Sequence, residues 1–267
     1  MAEPDHPKQG FFHSLLRILR GKPAVSVNLD DNPCLKMILE RRSNRKFLSK
    51  PIPKEIIDAI VEAGRMAPSA VNLQTWTFVC FDPEEWENVV GSVLPFNGQY
   101  AILILSDQHR VESAMSSFDF PDEPLVLHTM SVFNTGLAAM NMTLAAEACG
   151  LSSIMLSETG KTGLLDVGML YARLSLPDKV VPITTLVLGY RGKRLAPMPP
   201  KLPVDTICGF GDYPQIDKAA MGTWLADMKA GYRAMRPWSS FNSQVETYAT
   251  KIHQAEVDLG SIIFSDE

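Results

Sequence analysis

Several familiar signatures are missing from this chain. There is no G-x-x-x-x-G-K-[ST] loop and no G-x-G-x-x-G opening a helix; Gly209 and Gly211 begin such a pattern, but Pro214 stands where its last glycine belongs. The common nucleotide-binding motifs are therefore excluded. No G-x-S-x-G elbow is present. Only four cysteines occur (Cys34, Cys80, Cys149, Cys208), none in a C-x-x-C pair. They read as reduced, mostly buried thiols rather than a disulfide frame or a zinc site. Five histidines lie far apart without ligand spacing, so no metal is expected. The N-terminus lacks a long apolar run ending in a small-residue cleavage site. The longest apolar stretch, Val132 to Leu151, is interrupted by Asn134, Asn141 and Glu147, which argues against membrane insertion. Positive charge is not in excess: 25 Lys and Arg stand against 30 Asp and Glu, a net charge of −5. A nucleic-acid partner is not expected of such a chain.

What is present is an ordinary globular composition, 46% hydrophobic and 21% charged over 267 residues. That length suits one large domain with a sizeable core. The cations are unevenly spread. Lys36 to Lys54 holds seven (Lys36, Arg41, Arg42, Arg45, Lys46, Lys50, Lys54) and the single acid Glu40; Arg191 to Lys201 holds four (Arg191, Lys193, Arg194, Lys201) and no acid. Two basic islands in an acidic chain suggest an anionic ligand held at a point.

Periodicity and caps order the elements. Phe11 to Leu19 is a short amphipathic helix, read either as an arm packing its Phe/Leu face on the body or a partner, or as a surface anchor. Asn32 caps a helix that starts at Pro33 and runs toward Arg41. Pro53 opens another, with Ile56, Ile57, Ile60 and Val61 on one side. Strands are expected at Thr77–Phe81, Ala101–Ser106, Ser152–Ser157 and Val181–Tyr190. Helices are expected at Pro83–Val90, Val126–Cys149 and Thr162–Leu174. In the long central one Phe133, Leu137, Met140, Leu144 and Ala148 recur at helical spacing, and Gly150 suits the position after it. Residues 107–124 read as irregular, 191–215 as coil, and the rest as two helices split near Pro237.

Two segments carry candidate chemistry. In Arg41-Arg42-Ser43-Asn44-Arg45, the alternation of Arg41, Ser43 and Arg45 puts two guanidiniums and a hydroxyl on one side of an extended backbone. That set can clamp a phosphate; it is equally a solvated charge run at a helix end. In Ala67-Pro68-Ser69-Ala70-Val71-Asn72-Leu73-Gln74-Thr75-Trp76, the amides can read the edge of a planar heterocycle, or form a turn with Trp76 in the core.

Together these segments resemble the FMN-dependent nitroreductase family. The matching string is Arg41-Arg42-Ser43-Asn44-Arg45, Pro51-Ile52-Pro53, Ile57, Ile60, Glu62-Ala63, Ala67-Pro68-Ser69, Asn72, Gln74 and Trp76. It continues through Ala145-Ala146-Glu147-Ala148-Cys149-Gly150-Leu151, Leu188-Gly189-Tyr190 and Pro199-Pro200-Lys201-Leu202-Pro203, covering Pro33 to Pro203.

The resemblance implies an α+β fold: a three-layer α/β/α sandwich around a central, mostly antiparallel sheet, plus a helical C-terminal extension. Residues 1–32 would be an N-terminal arm, 33–204 the FMN-binding domain and 205–267 the extension. It implies a cytoplasmic homodimer with FMN at the subunit interface. Arg41, Ser43, Arg45 and Lys201 would hold the phosphate, Asn72 the pyrimidine edge, with Pro68 and Ser69 lining the ring. Ser157-Glu158-Thr159-Gly160 would bring a backbone N–H to the flavin N5. Arg42, Gln74 and Gly189 complete the implied set; no catalytic side chain is implied.

The implied activity is ping-pong oxidation of NAD(P)H with reduction of a small acceptor such as a nitroaromatic, quinone or flavin. The alternatives are a flavin-binding sensor or store without turnover, or a same-fold dehalogenase or flavin-modifying enzyme. Three departures stand out. Thr75 replaces the usual proline and is expected to loosen its loop. Leu202 stands where an arginine often accompanies the lysine, so Arg191, Lys193 or Arg194 can substitute. Residues after about 204 match nothing in the family; Trp224, Leu225, Met228, Tyr232 and Met235 form an apolar helical face there, suited to a packing arm or to a lid.

Overall fold

A computed structural model gives the fold. It describes residues 10–23, 25–29, 31–118, 123–157, 166–193 and 197–264. Two compact units result, one drawn from Met1–Asp30 with Ala196–Ala249, the other from Asp31–Leu195 with Thr250–Glu267.

In chain order the elements are α1 (Phe11–Arg20), α2 (Pro33–Glu40), α3 (Lys54–Arg65), β1 (Trp76–Phe81), α4 (Pro83–Val90), β2 (Tyr100–Asp107) and α5 (His109–Ala114). They continue with α6 (Pro124–Ala148), β3 (Ser152–Leu156), α7 (Val167–Leu174), β4 (Val180–Gly189), α8 (Val204–Ile207), α9 (Lys218–Met235) and α10 (Phe241–Ile263). Local chemistry sets several boundaries. The Asn32 side chain accepts from Leu35 N at 2.9 Å, with Pro33 in the first turn of α2. Asp82 and Glu85 form a reciprocal capping box at the start of α4. Gly150 takes φ +76° after α6, a conformation that favours glycine.

The second unit is the α+β sandwich. Its four strands pair in the order β1-β2-β4-β3, every pair antiparallel. Central β2 is buried on both faces. Ile102 and Ile104 meet Ile57 and Ile60 of α3, Ala139, Met142 and Ala146 of α6, and Leu186 and Leu188 of β4. Ala101, Leu103 and Leu105 meet Trp86 and Val90 of α4 and Leu170 of α7 on the other side. Each such fully buried large side chain contributes about 1.5–3 kcal/mol. Pro182, which has no N–H to give the ladder, sits where the β2–β4 register shifts between Ile104 and Leu105.

The first unit packs α1 against α9. Arg17 grips the buried Asp227 with two hydrogen bonds, Nη2 to Oδ1 at 2.5 Å and Nε to Oδ2 at 3.0 Å, and also reaches Ser14 Oγ. The Arg233 guanidinium lies 5.5 Å from the Phe11 ring centre. Tyr232 donates to Gln244 at 2.9 Å, tying α9 to the start of α10.

Four expectations need correction. Helix α1 does not bury its Phe/Leu face on its own unit: Ser14 and Arg17 turn toward Asp227 of α9, Ile18 lies over Gly231, and Phe12 stays 78% exposed. The cysteines are not mostly buried, since Cys34, Cys149 and Cys208 are exposed. Within 107–118 the chain forms α5, because the Asp107 carboxylate accepts from Arg110 N and Val111 buries inward. Within the expected coil after 191, a single turn, α8, follows Pro203.

Candidate functional site

The basic connection after α2 is stapled to the sheet by its main chain. Asn44 N donates to Ser153 O at 3.0 Å, Phe47 N to Phe96 O at 3.0 Å, and Leu48 N to Tyr190 O at 2.8 Å; Phe47 also bridges to Arg191. The Phe47 ring is buried over Gly189, where a Cβ would fall 2.7 Å from ring carbons. Glycine is thus required at 189 by a close approach.

These bonds leave the side chains between Arg41 and Lys46 largely unused. Ser43, Arg45 and Lys46 are exposed, and Arg41 and Arg42 half-buried. Arg42 Nη1 donates to Leu39 O and Arg41 O, at 2.8 Å each. Arg41 Nε, Arg42 Nε, Glu147 Oε1 and Ser153 Oγ are buried without a hydrogen-bond partner, four of the seven such side-chain atoms among the described residues. Buried polar atoms without partners are rare and ask for an explanation. Burial pushes the Glu147 carboxyl above its usual range, while Arg191, Arg41 and a Ser152 hydrogen bond pull it back. Among the described residues neither arginine forms an ion pair with it. Lys193 and Lys201 are exposed, Lys201 in the first unit, and Arg194 lies outside the described residues.

The second segment, Ser69 to Thr75, is an unusual turn. Val71, Asn72 and Gln74 have φ of 51°, 57° and 51°, all left-handed. A β-branched valine is costly there and needs its surroundings to hold it. Those surroundings are α6. Ser131 Oγ and Thr135 Oγ1 both donate to Thr75 O, at 3.1 and 3.2 Å, and Asn134 Nδ2 donates to Thr75 Oγ1 at 3.1 Å. Asn134 Oδ1 accepts from Ala70 N, and Ser69 Oγ from Gln74 N at 3.0 Å. Thr75 therefore does not loosen the loop, as its replacement of proline suggests. It is buried and is the point where α6 grips the turn. Pro68 and Asn72 are left exposed and Ser69 and Gln74 half-buried. A cavity of about 140 Å³ opens beside the turn, walled by Ala70, Leu73, Thr75, Val111, Met130 and Asn134.

Ser157 is exposed just after β3; Glu158, Thr159 and Gly160 lie outside the described residues. Two features escaped the sequence reading. The Ser131/Asn134/Thr135 cluster is a set of small polar residues at i, i+3 and i+4 of α6, a spacing that marks one face. Glu147 sits in the last turn of α6, where a negative charge opposes the helix dipole. Either oddity could have flagged a specific partner.

The chain matches the model of the nitroreductase family over residues 38–190. It is 27% identical over 187 residues to the FMN reductase [NAD(P)H] of Bacillus subtilis, covering 66% of this chain and 72% of that protein. Among solved structures, B. megaterium NfrA2 superposes with a TM-score of 0.72 at 19% identity, over 87% of this chain and 96% of that one. The NADPH:FMN oxidoreductase from Vibrio harveyi complexed with NAD+ gives 0.64 at 21% identity, over 80% and 90%.

Proposed function

The chain belongs to the nitroreductase family, and from that premise we propose that it is an FMN-dependent oxidoreductase oxidising NAD(P)H and reducing a small acceptor in two half-reactions. The observation that carries this reading is the set of unpartnered donors at Arg41, Arg42 and Ser153, where Asn44 N bonds Ser153 O and Phe47 bridges to Arg191. A cationic set with spare N–H groups fits a phosphate dianion, which takes charge-assisted hydrogen bonds from guanidinium forks. Arg41, Ser43 and Arg45 would hold that phosphate. Asn72 and Gln74, presented by a turn that α6 keeps rigid, would bond the edge of the ring, and Pro68 and Ser69 would line it. When bound, FMN supplies the hydride-accepting and hydride-donating chemistry. In balance, NAD(P)H becomes NAD(P)+ and a quinone becomes the hydroquinone, the second proton coming from solvent. The walls of the cavity beside residues 70–75 suit a small, mostly apolar acceptor.

A homodimer belongs to the same reading. Of the apolar stripe named on α6, Phe133 is 60% exposed and Leu137, Met140 and Leu144 are half-buried; Val126 and Met130, earlier on the helix, are 60% and 42% exposed, while Ala138, Ala139, Met142 and Ala146 are buried. A run of exposed large apolar residues on a long helix favours cover by a second copy. Among the described residues no helix is long and apolar enough to cross a membrane, and we place the enzyme in the cytoplasm with its four free thiols.

Anaerobic NAD(P)H should bleach the flavin spectrum of the purified protein, and a quinone or nitroaromatic should restore it. Initial rates should give parallel double-reciprocal lines. Bleaching without reoxidation by any such acceptor would favour a flavin-binding protein without turnover.

A further inference from the structure

The cavity beside residues 70–75 has mostly apolar walls, among them Leu73, Val111 and Leu127, and Thr75 and Asn134 stand in the same wall. At about 140 Å³ it has the size that takes one six-membered ring, and it is too small for the three fused rings of a flavin. In so apolar a site the few polar groups decide which ring is preferred. The hydrogen bonds around Thr75 fix where one proton goes. The Ala70 N–H can only donate, so Asn134 turns Oδ1 toward it, at 3.4 Å. That leaves Asn134 Nδ2 facing Thr75 Oγ1 at 3.1 Å, and an amide NH2 can only donate. Thr75 Oγ1 is therefore the acceptor in this bond and keeps its own proton. The neighbouring hydroxyls of Ser131 and Thr135 reach Thr75 O instead, which also accepts from Asp107 N at 3.1 Å. Among the described residues the Thr75 hydroxyl donates to no atom, although Thr75 is only 7% exposed. A buried donor without an acceptor asks for an explanation. The proline usual at this position in the family has no hydroxyl, so the donor is a property of this chain.

We propose that Thr75 is a specificity-determining residue: its hydroxyl donates a hydrogen bond to the oxygen of a single-ring ligand seated in this cavity, an aryl ketone, quinone or nitroarene. Asn134, oriented by the Ala70 N–H, engages a lone pair of the hydroxyl and so turns the proton toward the ligand. A site with such a donor discriminates against a ring of the same shape that lacks the acceptor, because the donor is then left unpaired. That the ring is the electron acceptor of the enzyme rests on the flavin reading above. The preference for a ring carrying an oxygen does not.

Acetophenone and isopropenylbenzene have nearly one shape, but only the first carries an oxygen. Their Kd values can be measured by ligand-observed NMR on the full-length chain, with FMN added and without it. Thr75→Val keeps the branched shape and removes the hydroxyl. It should shift the ratio of the two Kd values about fivefold against acetophenone, the scale of one neutral hydrogen bond. Thr75→Ser, which restores the donor, should hold the ratio within about twofold of wild type. Thr75→Pro should shift it as valine does, and it keeps the test decisive if the valine variant fails to fold. Isopropenylbenzene reports whether the cavity itself survives. Equal losses of both ligands in the valine and proline variants would make Thr75 merely structural and overturn the proposal. An unchanged ratio would overturn it too, as would a wild-type chain that binds neither ligand. A chain that takes up no FMN yet shows the shift would support the site and defeat the flavin reading alone.

Discussion

Between Arg41 and Phe47 the chain is held by its main chain, through bonds to Ser153, Phe96 and the bridge to Arg191. Between Ser69 and Thr75 it is held by side chains of α6, which bond Thr75 and the N–H of Ala70. The first mode frees side chains: Ser43 and Arg45 are exposed, and Arg41 keeps an unpartnered Nε. The second fixes backbone shape, and so three non-glycine residues tolerate left-handed φ. A charged ligand needs donors that can adapt to it. A flat ring needs a wall that does not move.

Removing an α6 anchor should break this contrast most severely. Asn134→Ala strips Thr75 Oγ1 and Ala70 N of a partner, leaving one buried and one half-buried polar group unpaired. The cost should be on the order of 3 kcal/mol, read as a lower denaturation midpoint. A midpoint shift below a quarter of that would show that the turn holds itself.

The first loop should respond in binding rather than in stability. Arg41→Ala or Arg45→Ala should weaken FMN by about 1.5–3 kcal/mol, roughly ten- to a hundredfold, with melting nearly unchanged. Wild-type FMN occupancy in both variants would refute the clamp. A third variant, Gly189→Ala, tests the seat beneath that loop. Its Cβ would come 2.7 Å from the Phe47 ring, so we expect destabilisation of about 1–3 kcal/mol from overpacking and some loss of FMN as the loop shifts. Normal stability would mean the ring can retreat and the seat is not needed.

The smallest effect is in pH dependence. The Glu147 carboxyl is raised above its ordinary value of 4.5, first by burial, against the pull of Arg191, Arg41 and Ser152. A carboxyl raised on folding binds its proton more tightly in the folded state. Stability is therefore greatest below its ordinary range and declines as pH rises through the raised value. Glu147→Gln should flatten that decline and melt no lower than wild type at pH 7. Melts across pH 4–8 would check this; a Gln variant that melts lower with the wild-type slope would contradict it.

Much of this was legible in the residues themselves. The Asn32–Pro33 cap, the helix expected from Pro83 to Val90 and the run from Ala101 to Ser106 are local signals, and the structure has each within a residue or so. The Arg41–Arg45 and Ala67–Trp76 strings name both loops of the proposed site. What stayed hidden depends on tertiary contact. No spacing reveals that Thr75 hangs from Ser131, Asn134 and Thr135, some 56 to 60 residues away. Likewise, the repeat of Phe133, Leu137 and Met140 announces a helix without saying that the buried side belongs to Ala138, Ala139 and Met142. Helix α1 misled for a related reason: its apolar residues suggested the packing face, but the Arg17–Asp227 pair, set by a residue 210 positions on, decides it.

The central claim is that Arg41, Arg45 and their neighbours cradle the phosphate of a flavin. The most direct test is the visible spectrum of the purified protein, with the released cofactor identified by chromatography. The account predicts a yellow protein that yields FMN and regains it after stripping. A colourless protein that takes up no FMN would contradict it.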